Sequence, residues 1–148
     1  MANKERFTMI AAVYLLLLRQ GSVLLLRRFQ TGYADGWYSL VAGHVDGGEA
    51  LRTAMAREAQ EEAGITINPE ALQHGVTMHR WCGDHERMDF YFTAAQWEGE
   101  VHNQEPQKCD DLSWFPLHQL PENTLPYIRV AIDAYQRGEQ YGEFGWKL

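Results

Sequence analysis

The sequence predicts one domain in which helices and strands are mixed, of α/β or α+β class. Three observations carry this. Segments rich in Val, Leu, Ile and Tyr recur between Gly- and Pro-containing breaks. One stretch, Glu49 to Ala63, contains no Pro or Gly and a single β-branched residue, Thr53. The length, 148 residues with 45% hydrophobic content, suffices for one compact core and falls short of two ordinary domains.

The elements follow in chain order. Met9 to Leu18 is an apolar run of about ten residues against the roughly 20 that span a membrane, so it reads as a buried strand. Ser22 to Phe29 follows the polar link Arg19-Gln20-Gly21, and the two segments suggest a hairpin. A Gly-rich stretch, Thr31 to Gly36, leads to a short apolar piece, Trp37 to Ala42, and then to a second Gly-rich loop, Gly43 to Gly48. That loop opens the helix predicted over Glu49 to Ala63, with Gly64 where a left-handed cap is expected. Ile65 to Ile67, Gly75 to Cys82, Arg87 to Trp97 and Leu112 to Phe115 read as strands, with Asn68-Pro69 and Gly83-Asp84 as breaks. Pro126 suits the first turn of a last helix reaching about Arg137, striped by Ile128, Ala131, Ile132 and Tyr135. Gly138 to Leu148 is aromatic without a clear period, and no repeat or linker marks a domain boundary within residues 1–148.

Composition narrows the function. Lys plus Arg is 13 and Asp plus Glu is 20, a formal net charge of −7 that repels polyanions at long range. A protein that coats nucleic-acid polymers is therefore not expected, and the shortness of the Met9 to Leu18 run gives the expectation of no membrane partner. Two cysteines, Cys82 and Cys109, cannot build a disulfide framework, and Met1 to Phe7 is too short and polar for a signal peptide. The expected compartment is a reducing cytoplasm.

The chemistry concentrates on the long helix. With Leu51 at zero and about 100° per residue, Leu51, Ala54 and Met55 form an apolar stripe, Glu58 and Glu62 fall within about 20° of Leu51, and Glu61 lies to one side. Arg52, Thr53, Ala56 and Gln60 take the opposite face. A helical Glu cluster is ordinarily a solvated face supported by basic neighbours. Here the acids extend the buried stripe, crowd one another at i, i+3 and i+4, and sit at the helix C-terminus, where the macrodipole disfavours negative charge. Arg57 alone does not balance three inward anions, and a divalent cation does. With carboxylate ligands and no His or Cys on this face, a hard ion such as Mg²⁺ or Mn²⁺ is favoured over Zn²⁺. Such an ion binds substrate phosphates and activates water, and a nearby carboxylate can accept the proton.

Gly43, five residues, Glu49, seven residues, then Arg57-Glu58-Ala59-Gln60-Glu61-Glu62-Ala63-Gly64-Ile65 resembles the complete signature of the Nudix hydrolases, with every fixed Gly, Glu and Arg position filled. The order of elements is similar to that family from about Phe7 to Tyr135. The resemblance implies an α/β fold, an α/β/α sandwich around a mixed sheet, and metal-dependent hydrolysis of a nucleoside diphosphate linked to another group. It implies that Glu58, Glu61 and Glu62 are metal ligands, that Glu58 is also a candidate general base, and that Arg57 orients these carboxylates. It further implies that Glu49 holds the arginine or joins the metal shell, and that the Gly43 carbonyl faces the metal. Ala59 stands where a bulky aliphatic is typical, and Val41-Ala42-Gly43 replaces a more usual Pro-Gly-Gly lead-in. Glu105, in the acidic segment Glu105 to Asp111, is a candidate for a further metal ligand or base; the alternative is a solvated loop acid.

The remaining residues carry weaker signals. His79, Cys82, Asp84 and His85 lie close together but fit no strong zinc pattern and read as rim or sheet residues. Arg80, Arg87 and Lys108 are candidates for contacting substrate phosphate, against the commoner role of surface cations in solubility. Trp37, Tyr38, Trp81, Tyr91, Phe92 and Trp114 read mainly as core, with one or two available to stack a base. No nucleophilic triad is evident.

The reading is a Mg²⁺-dependent pyrophosphohydrolase with a small-molecule nucleotide substrate, a nucleoside triphosphate, oxidised or non-standard, being the first expectation. ADP-ribose, nucleotide sugars and dinucleoside polyphosphates are alternatives. Rival classes are a nucleotide-sensing module without catalysis and an isomerase of allylic diphosphates, the latter lacking an evident Cys and Glu pair around Cys82 or Cys109. The resemblance is also compatible with a homodimer.

Overall fold

The computed structural model describes residues 5–147. Its elements are β1 (Ile10–Arg19), β2 (Ser22–Arg28), β3 (Tyr38–Ser39), β4 (Val41–His44), α1 (Leu51–Ala63), a 3-10 turn (Pro69–Ala71), β5 (Gln73–Trp81), β6 (Glu86–Ala94), β7 (Cys109–Pro116), α2 (Pro126–Gln136) and β8 (Tyr141–Phe144). The strands form one mixed sheet in the order β3-β2-β1-β6-β5-β8, with β4 on β1 and β7 on β2. β1 runs parallel to β6 and β5 parallel to β8, while the other pairs are antiparallel.

The period of two along β1 sorts its side chains between two apolar layers. Ala12, Tyr14 and Leu16 join the cluster that holds Ile128, Ala131 and Ile132 of α2. Val13, Leu15 and Leu17 join the one that holds Ala54, Met55, Ala59 and Ala63 of α1. A helix therefore covers each face. That is why Met9 to Leu18 reads as a continuous apolar run instead of an alternating one. The outcome is the expected α/β/α sandwich. No helix among the described residues is long and apolar enough to cross a membrane.

Several boundaries differ from the sequence reading. The β1–β2 hairpin pairs only at Leu18 with Val23 and Arg19 with Ser22; beyond the turn β1 pairs with β4 and β6, while β2 pairs with β7 and β3. Gly43 and His44 belong to β4, opposite Val13 and Ala12, and not to the loop that follows. Helix α1 starts at Leu51, with Ala50 as an extended cap residue, so Glu49 precedes the helix and is not in its first turn. The helix ends as expected at Gly64, whose φ of 69° suits a residue without Cβ. Ile65 to Ile67 is no strand: Thr66 makes a lone bridge to Glu98, and Ile65 and Ile67 are buried beside α1. β6 stops at Ala94, short of Trp97. The tail provides β8, parallel to β5 from Thr77 with Tyr141 to Arg80 with Phe144.

Candidate active site

Strand β4 and helix α1 create the site by lying against each other on the sheet face that buries Val13 and Leu15. The inner stripe of α1 is apolar at Ala54, Met55 and Ala59, then continues as Glu58 and Glu62. Glu58 reaches over β4 because Gly43 has no side chain: a Cβ there would overlap the Glu58 carboxyl group and stand 2.8 Å from its Cγ. One strand position away, the Ala42 amide donates to Glu62 Oε1 at 3.4 Å. Glu61 points outward, with 53% of its side chain exposed, so two carboxylates of the trio are directed inward and the third stands at the rim.

Arg57 ties the acids together. Its Nη2 donates to Glu49 Oε1 at 2.8 Å and its Nη1 to Glu58 Oε1 at 2.9 Å; Glu61 and Asp46 lie at 3.5 and 3.4 Å. The Arg57 hydrogen bond holds the Glu49 carboxyl below the usual carboxylate range. Burial pushes Glu58 up, although the neighbouring Glu62 carboxyl and the Arg57 guanidinium oppose that. Burial, followed by the charge of Glu58, pushes Glu62 well above the ordinary range. Glu49 thus holds the arginine from within the loop that joins β4 to α1.

Glu58, Glu61, Glu62 and Glu105 line one cavity of about 420 Å³ together with Arg28, Gln30, Thr31 and Lys108. Glu105 is placed by its own loop: its amide donates to Asn103 Oδ1 at 3.0 Å, while its carbonyl accepts from Lys108 and Cys109 at 2.9 and 3.0 Å. Its charge adds a minor part to the upward push on Glu62. Among the described residues no three acidic, His or Cys side chains stand as a ready-made ligand group. Glu58 and Glu62 instead stand close enough for each to shift the other's proton affinity. The donor chemistry nonetheless fits a hard divalent ion: all ligating atoms would be oxygen, and neighbouring half-buried carboxylates whose pKa values are raised chiefly by burial are relieved by a cation.

A second cavity, about 460 Å³, adjoins the first through Arg28 and Ala42, which line both. Its wall includes Tyr14, Tyr33, Tyr127, His44, Arg80 and Arg87. Arg28, which links the two, was not singled out in the sequence. The signal for it is local: Asp35 accepts from the Thr31 and Gly32 amides at 3.0 and 2.9 Å, and the loop so formed presents Thr31 Oγ1 and the Tyr33 carbonyl to the Arg28 guanidinium. Of His79, Cys82, Asp84 and His85, His79 pairs with Glu86 outside the group and His85 with its neighbour Asp84. Of the aromatic residues, Tyr38, Tyr91 and Phe92 are buried, whereas Trp37 is 40% exposed.

With this geometry established, comparison with known proteins is direct. The profile of the NUDIX domain matches residues 7–135. The chain belongs to the Nudix hydrolase family. It is 32% identical over 131 residues to the NAD-capped RNA hydrolase NudC of Stutzerimonas stutzeri, covering 88% of this chain and 44% of that protein. It thus spans less than half the length of the NudC relatives. It is 30% identical over 115 residues to the phosphatase NudJ of Escherichia coli, covering 71% of this chain and 73% of that one. A MutT NUDIX hydrolase from Burkholderia pseudomallei superposes with a TM-score of 0.78 at 24% identity, over 86% of this chain and 98% of the other. Both departures from the Nudix signature are accommodated. Ala59 is fully buried in the α1 layer, and Val41-Ala42-Gly43 forms regular β4 paired to β1.

Proposed function

We propose that this Nudix chain is a Mg²⁺-dependent pyrophosphohydrolase, with Mn²⁺ as a substitute, that cleaves a nucleoside diphosphate linked to another group by water attack on phosphorus. The observation that supports it most is the half-buried Glu58–Glu62 pair, steered by Arg57 and sharing one cavity with Glu105. Glu58, Glu61 and Glu62 are the metal ligands in this reading, with the Gly43 carbonyl and Glu105 beside them. When bound, the ion neutralises diphosphate charge and lowers the pKa of water.

The chain's own groups do the rest. Arg57 fixes the Glu58 carboxylate through a charge-assisted bond and is itself anchored by Glu49, so neither needs to touch the substrate. Glu58 or Glu105 accepts the proton of the attacking water. Arg28 and Lys108, in the same cavity as the acids, pair with phosphate oxygens not neutralised elsewhere. A chain of net charge −7 is suited to a small phosphorylated substrate more than to a long polymer. A nucleoside triphosphate, oxidised or non-standard forms included, is the first reading. Free thiols at Cys82 and Cys109 suit a reducing cytoplasm.

The test is mononucleotide and phosphate release from a panel of nucleoside triphosphates, ADP-ribose, nucleotide sugars, NAD and dinucleoside polyphosphates with Mg²⁺, for the wild type and Glu58→Gln. Hydrolysis of at least one compound that collapses in the variant is expected. Binding without turnover of any compound would instead identify a sensing module.

A further inference from the structure

The second cavity carries charge that the hydrolytic centre does not use. Arg80 and Arg87 project from neighbouring strands, β5 and β6, onto the two oxygens of one carboxylate. Arg80 Nε donates to Asp89 Oδ2 at 2.8 Å and Arg87 Nε to Asp89 Oδ1 at 3.1 Å. The Asp89 side chain has no exposure, and those of Arg80 and Arg87 retain 6% and 14%. Two guanidinium groups thus share one carboxylate, leaving a positive charge in a nearly buried place. Arg80 also donates to the Tyr14 hydroxyl at 3.3 Å and lies 3.7 Å from the Tyr127 ring centroid, but its Nη1 has no partner among the described residues. Neither terminal nitrogen of Arg87 has one either. Both arginines line the cavity, as do His44, His85 and Arg28. Arg28 donates to neutral acceptors, Thr31 Oγ1 and the Tyr33 carbonyl, and the nearest acid, Asp35, is itself held by Thr31 and Gly32 while sensing the Arg28 charge. The other acids nearby are engaged elsewhere: Glu86 by His79, Asp84 by His85, and Asp46 by Arg57.

Aromatic stacking is not what this cavity chiefly offers. Tyr14 stacks on Tyr91 at 4.7 Å, and one face of Tyr127 is covered by Arg80. What is free is a set of planar N–H donors on a net positive wall, the pattern that takes two oxygens of an anion together.

We propose that the Arg80–Arg87 wall is a subsite for a second anionic group of the substrate, a phosphate beyond the diphosphate that is cleaved. The proposal rests on the pyrophosphohydrolase reading for the orientation of the substrate, since the shared Arg28 makes the two cavities one crevice. The phosphate has two sources: the end of a polyphosphate chain or a ribose phosphate.

Two arms separate them. In the first, AMP, adenosine 2′,5′-bisphosphate and adenosine 3′,5′-bisphosphate are titrated calorimetrically into the wild-type protein with Mg²⁺. None contains an anhydride, so the outcome does not depend on hydrolysis. In the second, KM is compared for ATP and ADP. A charge-assisted paired contact corresponds to about 10- to 100-fold in affinity. A ribose phosphate shows as a bisphosphate binding tighter than AMP by that factor, and a chain phosphate as KM for ATP below that for ADP. In either case Arg87→Gln removes the preference through affinity or KM, with kcat for a substrate lacking the extra phosphate far less affected, and Arg87→Lys restores part of it. Bisphosphates within two-fold of AMP together with ATP within two-fold of ADP in the wild type would overturn the proposal, whether or not the variants fold. No hydrolysis of any diphosphate, with a bisphosphate still preferred, would remove the enzymatic reading and leave the anion subsite standing.

Discussion

Replacing Gly43 by Ala separates what the fold needs from what the site needs. Gly43 lies in a regular strand outside the left-handed region of φ, so Ala is compatible with its backbone, and the nearest atoms the added methyl meets all belong to the Glu58 side chain. Carbon atoms pack at about 3.5 to 4.0 Å, so a Cβ that stands 2.8 Å from Glu58 Cγ and overlaps the carboxyl group moves that carboxyl by about an ångström or more. The moving part is the free end of a flexible side chain, so stability should stay within about 1 kcal/mol, helped by the lower entropy of the unfolded chain. A misplacement of about 1 Å at a reacting group costs on the order of 10²-fold, about 2.7 kcal/mol of transition-state stabilisation. The assay pairs kcat/KM on the best nucleotide of the panel with a urea melt. Gly43→Ala should lose about 100-fold in kcat/KM and leave the melt nearly unchanged. Activity within two-fold of wild type would refute the argument that the missing Cβ sets the Glu58 position. A collapse of stability would show that Glu58 cannot yield.

Other outcomes follow from the same geometry. Glu58→Gln should lower kcat by about 10²- to 10⁴-fold while Tm holds or rises, since a buried charge is removed; loss of folding would contradict this. Glu62 has its pKa raised above the ordinary 4.5, so the folded state holds a proton that the unfolded chain releases. Stability of the metal-free protein should therefore be full below about pH 4.5 as far as this group is concerned, and fall as pH rises through the raised value. Glu62→Gln should flatten that slope in a series of melts, and Mg²⁺ should stabilise the wild type more at pH 8 than at pH 5. Glu49, lowered by Arg57, contributes with the opposite sign at the acid end. Ala59→Leu, placing a larger side chain at a fully buried position, should cost about 1–3 kcal/mol in urea unfolding.

Much of the fold was legible because its signals are local. The α1 segment has strong helix formers, Gly64 ends it with φ of 69°, and Pro126 opens α2. β8 was not, because four residues with alternating exposed and half-buried side chains leave no apolar period, and their pairing with β5 lies about 60 residues away in sequence. Ile65 to Ile67 misled for the opposite reason: the apolar residues are buried by α1 without any ladder. In the site, helical spacing located Glu58 and Glu62, whose positions depend on one helix. The outward turn of Glu61 was not visible, since its angle on the wheel places it at the boundary between the buried and solvated faces. The convergence of Arg80 and Arg87 on Asp89 depends on the β5–β6 register, Arg80 opposite Arg87 and Met78 opposite Asp89. Residue types alone cannot specify that register.

The central claim is that Glu58 and Glu62 bind a divalent ion together. Titrating Mn²⁺ into the nucleotide-free protein and counting free ion by electron paramagnetic resonance tests it most directly. Binding by the wild type that is lost in Glu58→Gln and in Glu62→Gln, both still folded, is the result this account requires. Equal Mn²⁺ binding in all three proteins would contradict it.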